Sequence, residues 1–475
     1  MARECRLLIG GEWRTNAEHA EIKSPYSSEV VGRVPWATPQ DVQDALSAAT
    51  MAFRTTSRLS RARRSDMLTV IAAGIRERRR DLVDTIARES GKPVKFADGE
   101  VSRAIMTFTL AAEEVKRFAG EVIPVDIEPR TEGYAGATGR FPIGPITAIT
   151  PFNFPLNLVA HKVAPALATG NPIILKPAPQ APLTAFLLAE IVQDAGAPPG
   201  MLNVLHCPVA SAEPLVTDER IKMLTFTGSA RTGRALQAKA GHKKVLLELG
   251  GNAGVIVHSD ADIAWAAERA AVGGFAHAGQ ICIKVQRLYI HEDVHDAFLE
   301  AFFAEIGKLH LGDPTDPDTD VGPLIDEAAA IRVETWIDEA REGGAEVLCG
   351  GRRSGNFVEP TVIANAARDM RVKREEVFGP VVTVDRYRDF ADAIAAVNDS
   401  PYGLQASVFT HDIRLAHAAF THLEVGGVIV NDYPTFRVDN YPYGGVKESG
   451  AGREGVRYAM EAMTEPRMLV LNLRR

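Results

Sequence analysis

The chain has 475 residues, a hydrophobic fraction of 46% and four cysteines, so it is long enough for two or more domains that bury a sizeable core. A formal net charge of -8 supplies no basic excess for a phosphate-backbone partner, which argues against nucleic acid. Cys5, Cys207, Cys282 and Cys349 form no CxxC pair, and the twelve histidines join them in no metal-ligand spacing, so no metal is expected. The N-terminus has no secretory apolar core and no segment is long enough to span a bilayer, so a reducing, cytoplasmic setting without a membrane partner is expected.

From Thr38, the run TPQDVQDALSAATMAF supplies an N-cap, Pro39 in the first turn, and Val42, Leu46, Ala49 and Phe53 at helical spacing. Further helices are predicted over about Leu59 to Glu89 and Gly99 to Ala119, which makes the first 120 residues mainly helical. The Arg61 to Arg64 and Arg76 to Arg80 clusters read as solvated helix faces. Gly120 to Phe141 reads as a two-stranded hairpin that needs another surface to cover it.

A regular alternation follows: PITAIT, a helix over Asn157 to Ala168, PIILK, a helix over Pro182 to Ala195, LNVLH, a short helix, KMLTFTGS, and a helix from Ala230. That rhythm predicts an α/β fold with a parallel sheet covered on both faces. A second α/β block is predicted from about Val245, beginning with VLLEL and continuing through GVIV, VQRLYIH, EPTVIA, VVTVDRY, SVFT and GGVIVND. The tail PRMLVLNLRR, after a helix near Glu454 to Met463, reads as a strand with an exposed edge, which favours a homodimer or homotetramer.

Two residues stand out chemically. Cys282 in GQICI lies among small and aliphatic neighbours, which suits a nucleophile, and Glu248 ends an apolar strand run in LLELGG, which suits a base. TGSARTG, from Thr227 to Gly233, sits between a strand and a helix where amides can hold a phosphate, although its spacing departs from GxGxxG. Lys176 ends another strand, the usual ligand-binding end of an open α/β sheet.

Seven segments in order, TPFNFPLN, LKPAP, FTGS, LELGGN, GQICI, EEVFGPV and GGVIVND, resemble the NAD(P)-dependent aldehyde dehydrogenase superfamily over nearly the whole chain. The resemblance implies a cofactor-binding domain (1–119 and 143–246), a catalytic domain (247–440) and an oligomerisation element with a β-hairpin (120–142 and 455–475). It also implies that Cys282 attacks the aldehyde to give a thiohemiacetal and then a thioester, and that Asn153 helps hold the oxyanion. Glu248 would activate the water that cleaves the thioester. That glutamate is missing from the branch that transfers its acyl group to coenzyme A, so a carboxylic acid product is expected.

Thr150, Pro151, Phe152, Lys176, Pro179, Gly228, Ser229, Gly233, Leu249, Glu376 and Phe378 are the cofactor-binding positions the resemblance implies. Pro179 replaces the acidic residue that, in NAD-preferring members, binds the ribose hydroxyls. Loss of that carboxylate predicts that NADP is tolerated, with outright NADP preference as the stronger form of the expectation. Arg103, His161 and Arg437 fall in segments that line the substrate tunnel in similar enzymes, and their charge resembles members acting on phosphonate or sulfonate aldehydes. Ile281 stands where an arginine completes the anion site in some of those members, so two alternatives stay open: small neutral or hydroxy aldehydes such as lactaldehyde, and a catalytically silent binding protein.

Overall fold

The computed structural model describes residues 2–474. Its first sheet has eight strands, of which five are parallel and lie in the spatial order Lys244–Glu248, Met223–Thr227, Ile146–Ile149, Ile173–Lys176, Leu202–Val204. Counted along the chain this is 5-4-1-2-3, the doubly wound order. The strand direction of travel reverses between Ile146–Ile149 and Met223–Thr227, and such a switch point opens a ligand crevice beyond the carboxyl ends of the strands. Leu7–Ile9 and Gly450–Ala451 close the two sides of this parallel core in antiparallel fashion.

The second sheet has seven strands in the order Glu346–Cys349, Thr361–Ala364, Val381–Tyr387, Val285–His291, Ala253–Val257, Gln405–Phe409, Gly427–Val430. All its pairings are parallel except the one between the first two strands. Val, Ile and Leu dominate both sheets because both faces of a parallel sheet are buried under helices. A third sheet pairs Thr464–Asn472 with Tyr134–Pro142 over nine residues, and Val122–Ile123 completes the predicted hairpin.

Two expectations need correction and one group of elements went unread. The first 120 residues are mainly helical as expected, but they also hold five strands before the first helix, of which Arg3–Glu4, Val30–Pro35 and His19–Lys23 form a small sheet. Strands this short and half-exposed leave no periodic signal. The expected helix over Leu59 to Glu89 is two, Arg61–Glu77 and Arg79–Ser90, broken where Arg78 leaves helical geometry (φ -90°, ψ 18°).

The strand Lys244–Glu248, taken from the sequence as the start of the second block, lies in the first sheet, in register with Met223–Thr227. The second sheet starts only at Ala253–Val257. VLLEL and GVIV look alike as apolar runs, and only Gly250 and Gly251 between them mark the crossing from one sheet to the other.

Candidate active site

The carboxyl ends of the first sheet face the amino ends of the second. Thr150, Lys176, Thr227 and Glu248 end or follow strands of the first, while Cys282 precedes Val285–His291 and Glu376 precedes Val381–Tyr387 in the second. The two glycines of LELGG explain how close these ends come. A Cβ on Gly251 would stand 2.1 Å from the Cys282 carbonyl oxygen, and one on Gly250 would stand 2.5 Å from Glu376 Oε2. Gly251 therefore excludes a side chain against fixed backbone, while one at Gly250 would have to displace the Glu376 carboxyl.

Cys282 is reached through a strained approach. His277, Ala278 and Gly279 all take positive φ (51°, 52° and 68°), which is costly for the two residues that carry a Cβ. Cys282 keeps partial solvent contact, unlike the buried Cys5 and Cys207, and no cysteine is paired. Its thiol is pushed up to about 11, first by burial and then by the carboxylate of Glu376, against a hydrogen bond shared with Tyr443. The Tyr443 hydroxyl lies 3.3 Å from Sγ.

Asn153, in the turn after Ile146–Ile149, donates from Nδ2 to the carbonyl of Gln280 at 2.8 Å, two residues from the nucleophile position. Its Nδ2 has a second proton to offer, and its Oδ1 is buried without a partner. Glu248 is only 2% exposed, and neither carboxylate oxygen accepts a hydrogen bond. Burial, then repulsion from Glu454, holds its carboxyl well above the ordinary range, against Arg437, Lys162 and Arg453. A buried carboxyl with no donor favours its proton, and a water entering beside it would meet an unoccupied acceptor.

Behind Glu248 lies a charged cluster to which the fully buried helix Asn157–Thr169 contributes His161 and Lys162; the amino end of that helix is capped by Glu100 accepting from the Leu156 and Asn157 amides. Lys162 donates to Glu454 at 2.7 Å and Arg437 to the other oxygen of Glu454 at 3.1 Å. Asp439 accepts from Arg103 at 2.6 Å and from His161 Nε2 at 2.8 Å. Burial alone would raise Glu454, yet Lys162 and Arg437 pull it down to about 2. Burial, then Arg437, pushes His161 below its usual value, so it is neutral near pH 7. The cluster sets three basic side chains (Arg103, Lys162, Arg437) against two carboxylates (Asp439, Glu454).

The positions expected to meet a nucleotide form a second group. Thr150 Oγ1 is buried and unpartnered. The Gly228 amide donates to the Glu248 carbonyl at 3.0 Å, and Ser229 caps the helix Ala230–Lys239. A Cβ on Gly233 would stand 2.3 Å from Leu249 Cδ2, so that helix lies tight against Leu249. Glu376 accepts from the Gly251 amide at 3.0 Å and is raised to about 7, chiefly by burial. Phe378, at φ 45°, meets Phe152 edge to face at 5.9 Å, with Pro151 in the same turn.

Beyond Lys176 opens a largely apolar cavity of about 410 Å³, lined by Ile149, Val216, Phe226, Leu236 and the side chain of Arg231. Orphaned polar atoms, glycines without room for a side chain and an apolar slot at the switch point fit a dinucleotide. Pro179 is exposed and outside that lining.

The sequence profile of the aldehyde dehydrogenase family matches residues 13–469. The chain belongs to the aldehyde dehydrogenase family. It is 45% identical to a 3-sulfolactaldehyde dehydrogenase of Priestia aryabhattai over 468 residues, 98% of each chain. Among solved structures, aldehyde dehydrogenase 21 of Physcomitrella patens in complex with its reaction product succinate superposes with a TM-score of 0.98 at 44% identity, covering 99% of both chains. The glyceraldehyde-3-phosphate dehydrogenase GapN of Methanocaldococcus jannaschii, complexed with NADP, gives a TM-score of 0.92 at 39% identity over 96% of this chain and 100% of that one. This chain is thus an NAD(P)-dependent aldehyde dehydrogenase with that family's fold.

Sequence reasoning missed three residues of this dehydrogenase. Lys162 stands inside an otherwise apolar helical run, VAHKVAPALA, and a lysine so placed signals a buried partner, here Glu454. Arg231 lies within TGSARTG and lines the cavity, yet it was read only as spacing. Tyr443 stands in the same stretch as Arg437, YPTFRVDNYPYGG, where only Arg437 drew notice. Among the described residues no cluster of metal-ligating side chains occurs, and no helix is long and apolar enough to cross a membrane.

Proposed function

We propose that this dehydrogenase oxidises an anionic aldehyde, one bearing a sulfonate, phosphonate or carboxylate, to the carboxylic acid. The observation that carries the reading is a pair of unspent donors: Nε of Arg103 and Nε of Arg437 are both buried without a hydrogen-bond partner, although each guanidinium is otherwise engaged. A buried donor without an acceptor costs about 1–3 kcal/mol, which an entering oxyanion would relieve. The surplus of cations over carboxylates in the cluster supports the same charge preference. The similar proteins named for sulfolactaldehyde and solved with succinate add weight.

In the mechanism we infer, Cys282 as thiolate adds to the aldehyde carbonyl, and the oxyanion of the thiohemiacetal takes donors from the Asn153 amide and the Cys282 backbone N–H. Lys176, Ser229 and Glu376 would hold NAD(P)+, which when bound supplies the acceptor for the hydride leaving that carbon. Glu248 then removes a proton from the water that cleaves the Cys282 thioester. Comparing kcat/KM for 3-sulfolactaldehyde, succinic semialdehyde, lactaldehyde and a neutral alkanal tests the substrate class. The anionic pair should lead by at least about tenfold, the scale of one charge-assisted contact, and a leading alkanal would overturn the reading.

For the cofactor we infer that NADP is accepted and competes well with NAD. Arg231 makes no hydrogen bond or salt bridge within the described residues and lines the cavity with Lys176, whereas Glu213 there is neutralised by Lys239 at 2.8 Å. Replacing Arg231 by alanine should weaken NADP about tenfold with little change for NAD, read as Kd by titration calorimetry. Equal losses for both nucleotides would remove the inference. The exposed Leu469, Leu471 and Leu473 along the terminal strand support a homodimer or homotetramer, and the unpaired thiols suit the cytoplasm.

A further inference from the structure

Tyr443 is fixed from several sides. Its backbone exchanges two hydrogen bonds with Glu454 (3.0 and 2.6 Å), and its ring packs among Ile281, Ile283, Leu404 and Phe154. The Arg437 guanidinium, itself held by Glu454, lies over the ring face 3.6 Å from the centroid. The residue is 3% exposed, and the hydroxyl has a single hydrogen-bond neighbour among the described residues, Cys282 Sγ at 3.3 Å. A buried phenol seeks a partner, and a cation on the ring face withdraws electron density from it, which strengthens the O–H as a donor.

We propose that the Tyr443 hydroxyl donates its hydrogen bond to the sulfur of Cys282 and thereby favours the thiolate, making Tyr443 a catalytic residue polarised by Arg437. The proton lost from Sγ passes to water at the partly exposed Cys282, while the phenol keeps its own proton. Without this donor the sulfur faces the acidic groups Glu376 and Glu248 beside Arg437, and the surroundings packed against it are hydrophobic. Deprotonation in those surroundings is costly unless something donates to the anion. The phenol in turn faces Cys282, Arg437 and Glu248, and burial followed by Cys282 raises it well above its usual value, so it stays protonated while the thiol ionises.

The inference rests on Cys282 as the nucleophile but needs no particular aldehyde. Its test uses neither substrate nor nucleotide: the rate of iodoacetamide labelling at Cys282, followed against pH by peptide mass spectrometry. In Tyr443→Phe the ring and the Arg437 contact remain, and labelling near neutral pH should slow about tenfold while the midpoint of the pH profile moves up, as expected for a lost hydrogen bond to a charged group. An unchanged midpoint, or one that moves down because the thiol had been donating to the phenol, would overturn the proposal. If Tyr443→Phe fails to fold, 3,5-difluorotyrosine at position 443 preserves the shape and supplies a more acidic donor. It should move the midpoint down, and no movement there also refutes the proposal.

Discussion

Replacing Cys282 by alanine should cut aldehyde-dependent NAD(P)H formation by about ten-thousand-fold or more, the usual scale for losing a covalent nucleophile. Nucleotide affinity should hold, because Lys176, Ser229 and the apolar cavity belong to the other sheet and do not touch Sγ. Folding should hold as well, since a smaller side chain fits a site that keeps some solvent contact. The measurement is absorbance of the reduced nucleotide with an aldehyde panel, paired with nucleotide titration of the same preparation. A Cys282→Ala variant that still turned over aldehyde within a few-fold of wild type would remove Cys282 from the nucleophile role.

Glu248→Gln should separate the two halves of the reaction. The variant is near-isosteric, and the hydride-producing half of the proposed mechanism draws on Cys282, the oxyanion donors and bound nucleotide but not on Glu248. The first turnover should therefore yield about one reduced nucleotide per site before the acyl-enzyme stalls, with steady turnover down about 10²–10⁴-fold, the span expected for general-base loss. Rapid-mixing absorbance and intact-mass detection of the Cys282 acyl adduct read both quantities. The pH dependence follows from the sign of the shift: burial and Glu454 raise the Glu248 carboxyl, so it is protonated and idle as a base at low pH. Wild-type hydrolysis should climb as pH rises through that elevated value, and the climb should vanish in Glu248→Gln. A variant turning over within a few-fold of wild type would remove Glu248 from the base role.

Much of this was readable in the sequence because the fold and chemistry leave short, local marks. The alternation of apolar strands and helices from PITAIT to KMLTFTGS gave the parallel sheet, since each strand is buried on both faces and reads as a run. Cys282, Glu248 and Asn153 stand in three separate segments, and the ordered motifs brought them together before any geometry did. The N-terminal strands were not readable, because Arg3–Glu4 and Glu12–Arg14 are too short for alternation to register.

Nor could the sequence tell to which sheet Lys244–Glu248 belongs, because a buried parallel strand looks the same in either. The ion pairs of Arg103, His161 and Arg437 were equally hidden. Asp439 and Glu454 lie far along the chain from Arg103 and Lys162, and only folding shows how much of each positive charge is already spent.

The sheet assignment of Glu248 has a consequence for how the enzyme tolerates motion. The proposed base rides on one sheet and the proposed nucleophile on the other, and Gly250 and Gly251 are the stitch between them, lying against Glu376 and the Cys282 carbonyl. Any breathing of one half against the other is thus felt first as a change in the distance across which water must be delivered to the acyl group. Because Gly251 admits no side chain against the Cys282 carbonyl, that point of the gap is gauged by backbone, and loosening it should starve the second step of the proposed reaction while leaving each half folded.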